Sequence, residues 1–308
     1  MLFSPVHALA APLDACRTVT LVIPQPAGST TDAVSRLLSD RVGDTLGRTV
    51  VVENKPGADG QVAAVDVMRA PPDGCRLLLG TSGTLSVIPF LRKEKPFDPS
   101  ADFTAIADVG RYEFFFYVPA SLGVGTMPAF TDLIRKNPGR YNYAVGNNTG
   151  LLSYNFARSK FGWDMQRVNY RGEPPAIIDM LADRTHAIVA TGAHVPHVKD
   201  GKLKALAAVT EQRSDLLPEV PTYGEVGLGD FKVVLWLGVV GPAKIPRDAV
   251  EALSAAFVKA ISRDEVKPAA SRLGFAMTPS GPDAFARLIA EQTVVYGQRI
   301  SEAGLKPE

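Results

Sequence analysis

The chain is short of nearly everything that announces a reaction. It has two cysteines, Cys16 and Cys75, neither in a C-x-x-C pair, and four histidines, so the paired-cysteine pattern of a structural zinc site is absent. It has no G-x-G-x-x-G and no G-x-x-x-x-G-K-[ST], which removes the common dinucleotide and nucleotide-phosphate signatures. "GTSGT" (80–84) resembles the G-x-S-x-G nucleophile elbow but puts Thr84 where the second glycine belongs. An excess of one charge is missing too: 33 basic residues stand against 32 acidic, for a net +1. That argues against nucleic acid or an anionic membrane as a partner held by bulk charge. Nor does any apolar run approach the ~20 residues that span a bilayer.

Three of the histidines, His186, His194 and His197, fall close together, and "HVPH" offers an i, i+3 pair. Pro196 interrupts a helix there, and such histidines are read as hydrogen-bonded or cleft-lining rather than as metal ligands. A Ser-His-Asp triad is a spatial arrangement, and nothing local supports one. No metal and no cofactor is implied.

What is present is a globular α/β chain. Its 308 residues, 46% apolar and 21% charged, suffice for one large or two medium domains with a real core. The first third alternates strand and helix: "TVTLVI", a helical stripe of Ala33, Val34, Leu37, Leu38, Val42 and Leu46 ended by Gly47, then "TVVVE", "QVAAVDVMRA" and "RLLLG". This predicts a mostly parallel sheet covered on both faces. "AIADVGRYEFFFYVP" contains two strand-like runs broken by "GRYE", a candidate crossing into a second unit. A second series follows, with strands "YNYAVG", "QRVNY", "AIVAT" and "KALAAVT" and helices "FTDLIRKN", "LLSYNFARSKFG" and "AIIDMLADR". "FKVVLWLGVVGPAKIP" reads as the crossing back, and two amphipathic helices close the chain. Two α/β lobes joined by two strands, hinged near 110–113 and 237–241, would open and close like a jaw.

Ligands of such sheets collect beyond the carboxyl ends of the strands. The polar loops "PQPAGSTTD" and "GTSGT" both fall at that edge. In the first, Gly28 lets backbone approach a ligand, Ser29, Thr30 and Thr31 supply hydroxyls, and the following helix N-terminus favours an anion. Asp32 cannot welcome an anion itself and is expected to cap the helix or orient the loop. With no P-loop lysine, neutral hydroxyl and N–H donors suit a small carboxylate rather than a nucleotide phosphate.

Two features stay open on the residues alone. "MLFSPVHALAAPLDA" has an A-x-A pattern at Ala8-Leu9-Ala10 but no basic n-region; it reads either as the tail of a truncated secretory signal peptide or as a cytosolic N-terminal segment. Cys16 and Cys75 each precede a predicted strand. They are either inert buried thiols or, if those strands are parallel neighbours in an oxidising compartment, a disulfide.

From about Arg17 onward the chain resembles the Bug (TctC-like) extracytoplasmic solute receptors of tripartite tricarboxylate transporters. The most specific stretches are "VVVENKPGADG" (50–60) and "PPDGCRLLLGTSGT" (71–84), with "FDPSADFTAIA", "NPGRYNYAVGNNTG", "NYRGEPPAIIDMLADR", "GKLKALAAVTEQRSDLLPEVPTYGEVG" and "WLGVVGPAKIP" in collinear order. The resemblance implies a type II periplasmic-binding-protein fold. Its lobe 1 would be 17–112 with 240–308, its lobe 2 113–239, and 1–16 a signal-peptide remnant or linker. It implies a monomeric periplasmic receptor, not an enzyme, that grips a di- or tricarboxylate or an aromatic acid and delivers it to membrane permease subunits. The matching ligand-binding positions are Gly28, Ser29, Thr30, Thr31, Asp32, Thr81, Ser82 and Thr84 in lobe 1. In lobe 2 they are Gly146, Asn147, Asn148, Thr149, Tyr170, Arg171, Gly172, Thr191 and His194. The fold also sets the first and third strands side by side, which supports a Cys16–Cys75 bridge.

The chain departs from the family pattern in three places. Gly28-Ser29 stands for a frequent Gly-Gly, Thr191-Gly192 for a frequent Asp-Asn, and Ser153-Tyr154-Asn155 for a stretch that commonly carries histidine. The lost aspartate would have paired with a ligand amino group, so a plain or aromatic carboxylate is expected over an amino acid. Rival functions are an orphan ligand sensor of the same fold and an enzyme drawing on Ser82, His186, His194 and Asp32. The effector domain of a transcription regulator would need a helix-turn-helix, for which the ~16 residues before the first strand are too few.

Overall fold

A computed structural model describes Leu13 and residues 16–307; the signal-peptide reading of the N-terminus falls outside the described residues. Strand β1 (Thr18–Ile23) leads through the 24–29 loop into α1 (Thr30–Leu46). The Ser29 hydroxyl caps α1 by accepting from the Asp32 N–H, and Gly47, at φ 64, ends it in the left-handed conformation that glycine adopts without a Cβ penalty. Val34, Leu38 and Val42 form its buried stripe. Then come β2 (Thr49–Asn54), α2 (Gln61–Met68) and β3 (Arg76–Thr81). After β3 the chain makes a π-helical turn, Gly83–Val87, and a short α3 (Ile88–Leu91) before β4 (Phe103–Tyr112).

The second unit holds β5 (Phe114–Pro119), α4 (Met127–Lys136), β6 (Asn142–Val145), α5 (Asn148–Phe161) and β7 (Gln166–Asn169). It continues with α6 (Glu173–Leu181), β8 (Ile188–Thr191), α7 (Val195–Lys199) and β9 (Leu203–Ala208). The chain then returns through β10 (Trp236–Pro242), α8 (Arg247–Ile261), α9 (Val266–Ser271), β11 (Phe275–Ser280) and α10 (Pro282–Glu302).

The first sheet runs β11-β4-β10-β3-β1-β2. Only β1 with β2 and β1 with β3 pair in parallel; β10 is antiparallel to β3 and β4, and β11 to β4. The sheet is therefore mixed, not mostly parallel. The local strand–helix alternation reports only the βαβ units, whereas β10 arrives from the other lobe and inserts in the opposite direction. Alternate residues feed opposite faces: Leu21, Leu77 and Leu79 join one core, Val22 and Leu78 the other, where Trp236 packs edge-on against Phe285.

In the second lobe β5 pairs antiparallel with β8 and β9, and β6 parallel with β7. The Ala144 N–H donates to the Ala187 carbonyl at 2.8 Å and the His186 N–H to that of Asn142 at 3.1 Å, so the strands run β7-β6-β8-β5-β9. Its core is aromatic, with the Phe116 ring 5.3, 5.9 and 5.4 Å from those of Phe130, Tyr154 and Trp163.

Glu113 alone separates β4 from β5. Its N–H donates to Gly274 in lobe 1 at 2.9 Å, and its carbonyl accepts from Gly192 in lobe 2 at 2.7 Å. The return does not lie at 237–241. Those residues are inside β10, bonded on both sides, so the crossing back is the irregular 209–235 segment and the first sheet resumes at Trp236, before residue 240. The apolar run "VVLWLGVV" looks like a crossing because central strands and buried linkers are equally apolar.

Cys16 and Cys75 are joined by a disulfide, Cα–Cα 5.2 Å, at the shared end of β1 and β3. Bridging positions 59 residues apart constrains the unfolded chain by up to about 4 kcal/mol. Reduction, or serine at both positions, should lower the unfolding free energy by about 2–4 kcal/mol; urea denaturation with and without dithiothreitol measures it, and equal midpoints would mean that the bond contributes nothing.

Candidate functional site

The loop after β1 is held by Asp32. Its carboxylate accepts from the Gly28 N–H at 3.0 Å, Arg36 Nε at 3.1 Å and Asn54 Nδ2 at 3.0 Å. Burial alone would raise the Asp32 pKa, but these hydrogen bonds and the Arg36 charge outweigh it and hold the carboxyl below its usual value. Asp32 therefore orients the loop while Ser29 does the capping. Gly28 is exposed, with φ +83. Its N–H is spent on Asp32, and the left-handed turn is what requires glycine. Thr30 and Thr31 are buried, and Thr31 Oγ1 lies 2.6 Å from the Tyr112 hydroxyl.

At the end of β3, Thr81, Ser82 and Thr84 are all buried. Thr81 Oγ1 accepts from the Thr84 N–H at 3.1 Å and donates to Thr84 Oγ1 at 3.2 Å, which folds the π-helical turn back on the strand. Gly83 touches the other lobe: its carbonyl accepts from Asn148 Nδ2 at 3.3 Å, and a Cβ on it would lie 2.6 Å from Thr149 Oγ1.

On lobe 2 the carboxylate of Glu173 is the meeting point. Asn147 caps α5 with its Oδ1 and donates Nδ2 to Glu173 Oε1 at 2.6 Å. Thr191 donates its N–H to Oε1 and Oε2 at 3.3 and 3.2 Å and its hydroxyl to Oε2 at 2.7 Å; His194 Nε2 lies 3.0 Å from Oε2. A carboxylate only accepts, so that imidazole nitrogen carries the proton. Thr30 Oγ1 lies 3.1 Å from Thr191 Oγ1. The Thr191 proton is committed to Glu173, so Thr30 is the donor, and a hydrogen-bonded chain Thr30–Thr191–Glu173 crosses between the lobes. A Cβ on Gly146 would lie 2.9 Å from the Glu173 backbone, and one on Gly172 3.1 Å from Pro26 Cγ in lobe 1.

Thr30, Gly83, Asn148, Thr149, Gly172 and Thr191 thus line one seam, at the N-termini of α1, α5 and α6. Other expected site residues turn elsewhere. Tyr170 donates its hydroxyl to Asp179 at 2.8 Å, and burial together with that carboxylate pushes its pKa up to about 12. Arg171 is exposed. His186 bonds Asn142, and burial lowers its pKa and that of His197. A depression along α2, lined by Lys55, Gln61, Val65 and Arg76, shares none of the seam residues, and both basic groups are paired with Asp66.

Glu173, Gly83 and Tyr112 were missed from the sequence. An acid in the first turn of a helix reads as an ordinary partner of the helix dipole, so "RGEPP" offers no signal that Glu173 turns toward Thr191. The acid that Thr191 lacks is supplied by another element.

A family model described as the tripartite tricarboxylate transporter family receptor (TctC) matches residues 34–305. A "UPF0065 protein in tcbD-tcbE intergenic region" of Pseudomonas sp. (strain P51) is 31% identical over 93% of this chain and 86% of its own length. Among solved structures, periplasmic binding protein BugD superposes with a TM-score of 0.88 at 26% identity, covering 95% of this chain and 99% of the other. R. palustris Rpa4515 with adipate gives 0.89 at 26%, with the same 95% and 99%. MatC (Rpa3494) from Rhodopseudomonas palustris with bound malate gives 0.85 at 27%, covering 92% and 99%.

Replacing Asp32 with alanine should lower stability by about 1–3 kcal/mol at pH 7. A depressed native pKa stabilises above the unfolded value near pH 4 and loses that stabilisation as pH falls through the native one. The two proteins should therefore converge in acid, as urea titrations at pH 7 and pH 3 would measure. Equal stability at pH 7 would remove Asp32 from this role.

Proposed function

The chain belongs to the tripartite tricarboxylate transporter receptor family, and we propose that it captures a small organic carboxylate between its lobes in the periplasm and hands it to the family's membrane permease. The observation that carries this is the seam itself. Buried hydroxyls, amides and the starts of three helices converge where the lobes meet, and the direct bond Thr30–Thr191 belongs to a closed jaw. Such neutral donors in a dry cleft suit a carboxylate. The adipate and malate carried by two relatives are of that class, and the match to a periplasmic binding protein favours the same compartment.

The moving parts are two lobes, taken as 17–112 with the C-terminal segment and 113 to about 235, pivoting at Glu113 and along 209–235. A ligand that bridges them binds the closed state better than the open one and shifts the population by that difference. Closure from both sides also gives the permease a shape to distinguish loaded from empty.

The protein acts as a receptor rather than an enzyme, a reading that the family match supports. A nucleophile needs a base within hydrogen-bond reach. Among the described residues no hydrogen bond joins Ser82 to His194, His186 or Asp32, whose partners are Glu173, Asn142, and Arg36 with Asn54.

The test is a thermal-shift screen of ligand-stripped protein with aliphatic and aromatic carboxylates, amino acids and nucleotides. A ligand at 100 times its Kd adds about 2.7 kcal/mol. One carboxylate class should stabilise the protein and be recovered unchanged; no shift from any carboxylate would sink the proposal, and a chemically altered compound would point to an enzyme. Thr191→Val, which deletes the bridging hydroxyl, should weaken that binding about tenfold, as isothermal titration would show.

A further inference from the structure

We propose that Glu173 fills the anion seat of lobe 2 with a carboxylate of the chain itself, so that the receptor selects ligands with one carboxylate and an uncharged far end; this rests on the receptor function above. The seat is a built one. Four donors from three places converge on it: the Asn147 amide at the cap of α5, the N–H and hydroxyl of Thr191 ending β8, and Nε2–H of His194 before α7. A carboxylate offers about four lone-pair positions, and the contacts to Oε1 and Oε2 occupy them. The Glu173 and His194 side chains are only 11% and 13% exposed, so little water screens the pair. Glu173 also sits in the first turn of α6, where the helix dipole favours negative charge.

The seat lies on the ligand's side of lobe 2, because Thr191 is bonded to Thr30 across the seam. A second ligand carboxylate arriving there would find every donor taken and a like charge in its path. Two carboxylates in one site cannot both stay ionised without an added cation. Arg36 is engaged by Asp32 in its own loop, and Arg171 is out in solvent. The ligand's own carboxylate is left to the lobe 1 loops at Ser29–Thr30 and Ser82–Thr84, with its far end against the Glu173 side.

Matched probes of equal length test this by isothermal titration: butyrate with succinate, hexanoate with adipate and benzoate with terephthalate, with 6-aminohexanoate as the cationic counterpart. Wild type should prefer the monocarboxylate of at least one pair by tenfold or more. Glu173→Ala, which vacates the seat, should cancel or reverse that preference; Glu173→Gln, which keeps the bulk without the charge, should narrow it and serves if the alanine variant does not fold. Dicarboxylates bound by wild type as tightly as their partners in every pair that binds overturn the inference while leaving the receptor function standing. So does 6-aminohexanoate binding tightest, since Glu173 would then pair with the ligand. If no probe binds wild type or variants, the receptor function falls and this inference with it.

Discussion

How closely the two lobes approach is set by two α-carbons. A Cβ on Gly274 would lie 2.4 Å from the Gly192 Cα, and one on Gly192 would lie 2.8 Å from the Gly274 Cα. Any side chain at either position wedges the lobes apart. Glu113 is bonded to both glycines through its own backbone, so the point of closest contact is also where the chain first crosses between the lobes. Thr191 immediately precedes Gly192 and so lies within hydrogen-bond reach of Thr30. Gly274, at φ +69, adopts a conformation that few other residues would accept even if the space existed.

The seam from Thr30 to Glu173 differs in kind from the apolar cores of the two lobes. Leucine and valine fill both faces of the first sheet and aromatic rings cluster in the second, and one apolar cluster runs on between the lobes through Tyr112, Phe114, Phe156 and Phe231. At the seam itself lie hydroxyls, amides and a carboxylate in directed contacts. Apolar burial is non-directional and takes no account of what lies in the seam. Hydrogen bonds traded between chain, water and ligand differ little in net energy, so the seam, unlike the apolar cluster, can exchange its partners at small cost.

Much of this architecture was legible in the residues. Helix α1 was marked by a stripe at 3.6-residue spacing and by Gly47, although the cap expected of Asp32 is made by Ser29, and the polar loops were correctly placed at the ends of β1 and β3. Strand β11 and helix α9 were missed, because "FAMTPS" neither alternates cleanly nor runs apolar. The antiparallel insertion of β10 was missed as well: a strand's direction relative to its neighbours depends on where the chain has come from. Glu173 was missed because acids in first turns are ordinary. The cysteine bridge stood between these cases, readable only on condition that β1 and β3 are neighbours.

Most of the helices and strands, and the hydroxyl-bearing loops between them, follow from the sequence alone. Those properties arise from residues within about four positions of one another. Only the tertiary structure decided that Thr30 meets Thr191, 161 residues away, and that Glu173 occupies lobe 2's donors. It also decided that the chain returns through 209–235. These depend on two surfaces built separately and then brought into contact. Their geometry follows from how the whole chain packs, and no local pattern carries it.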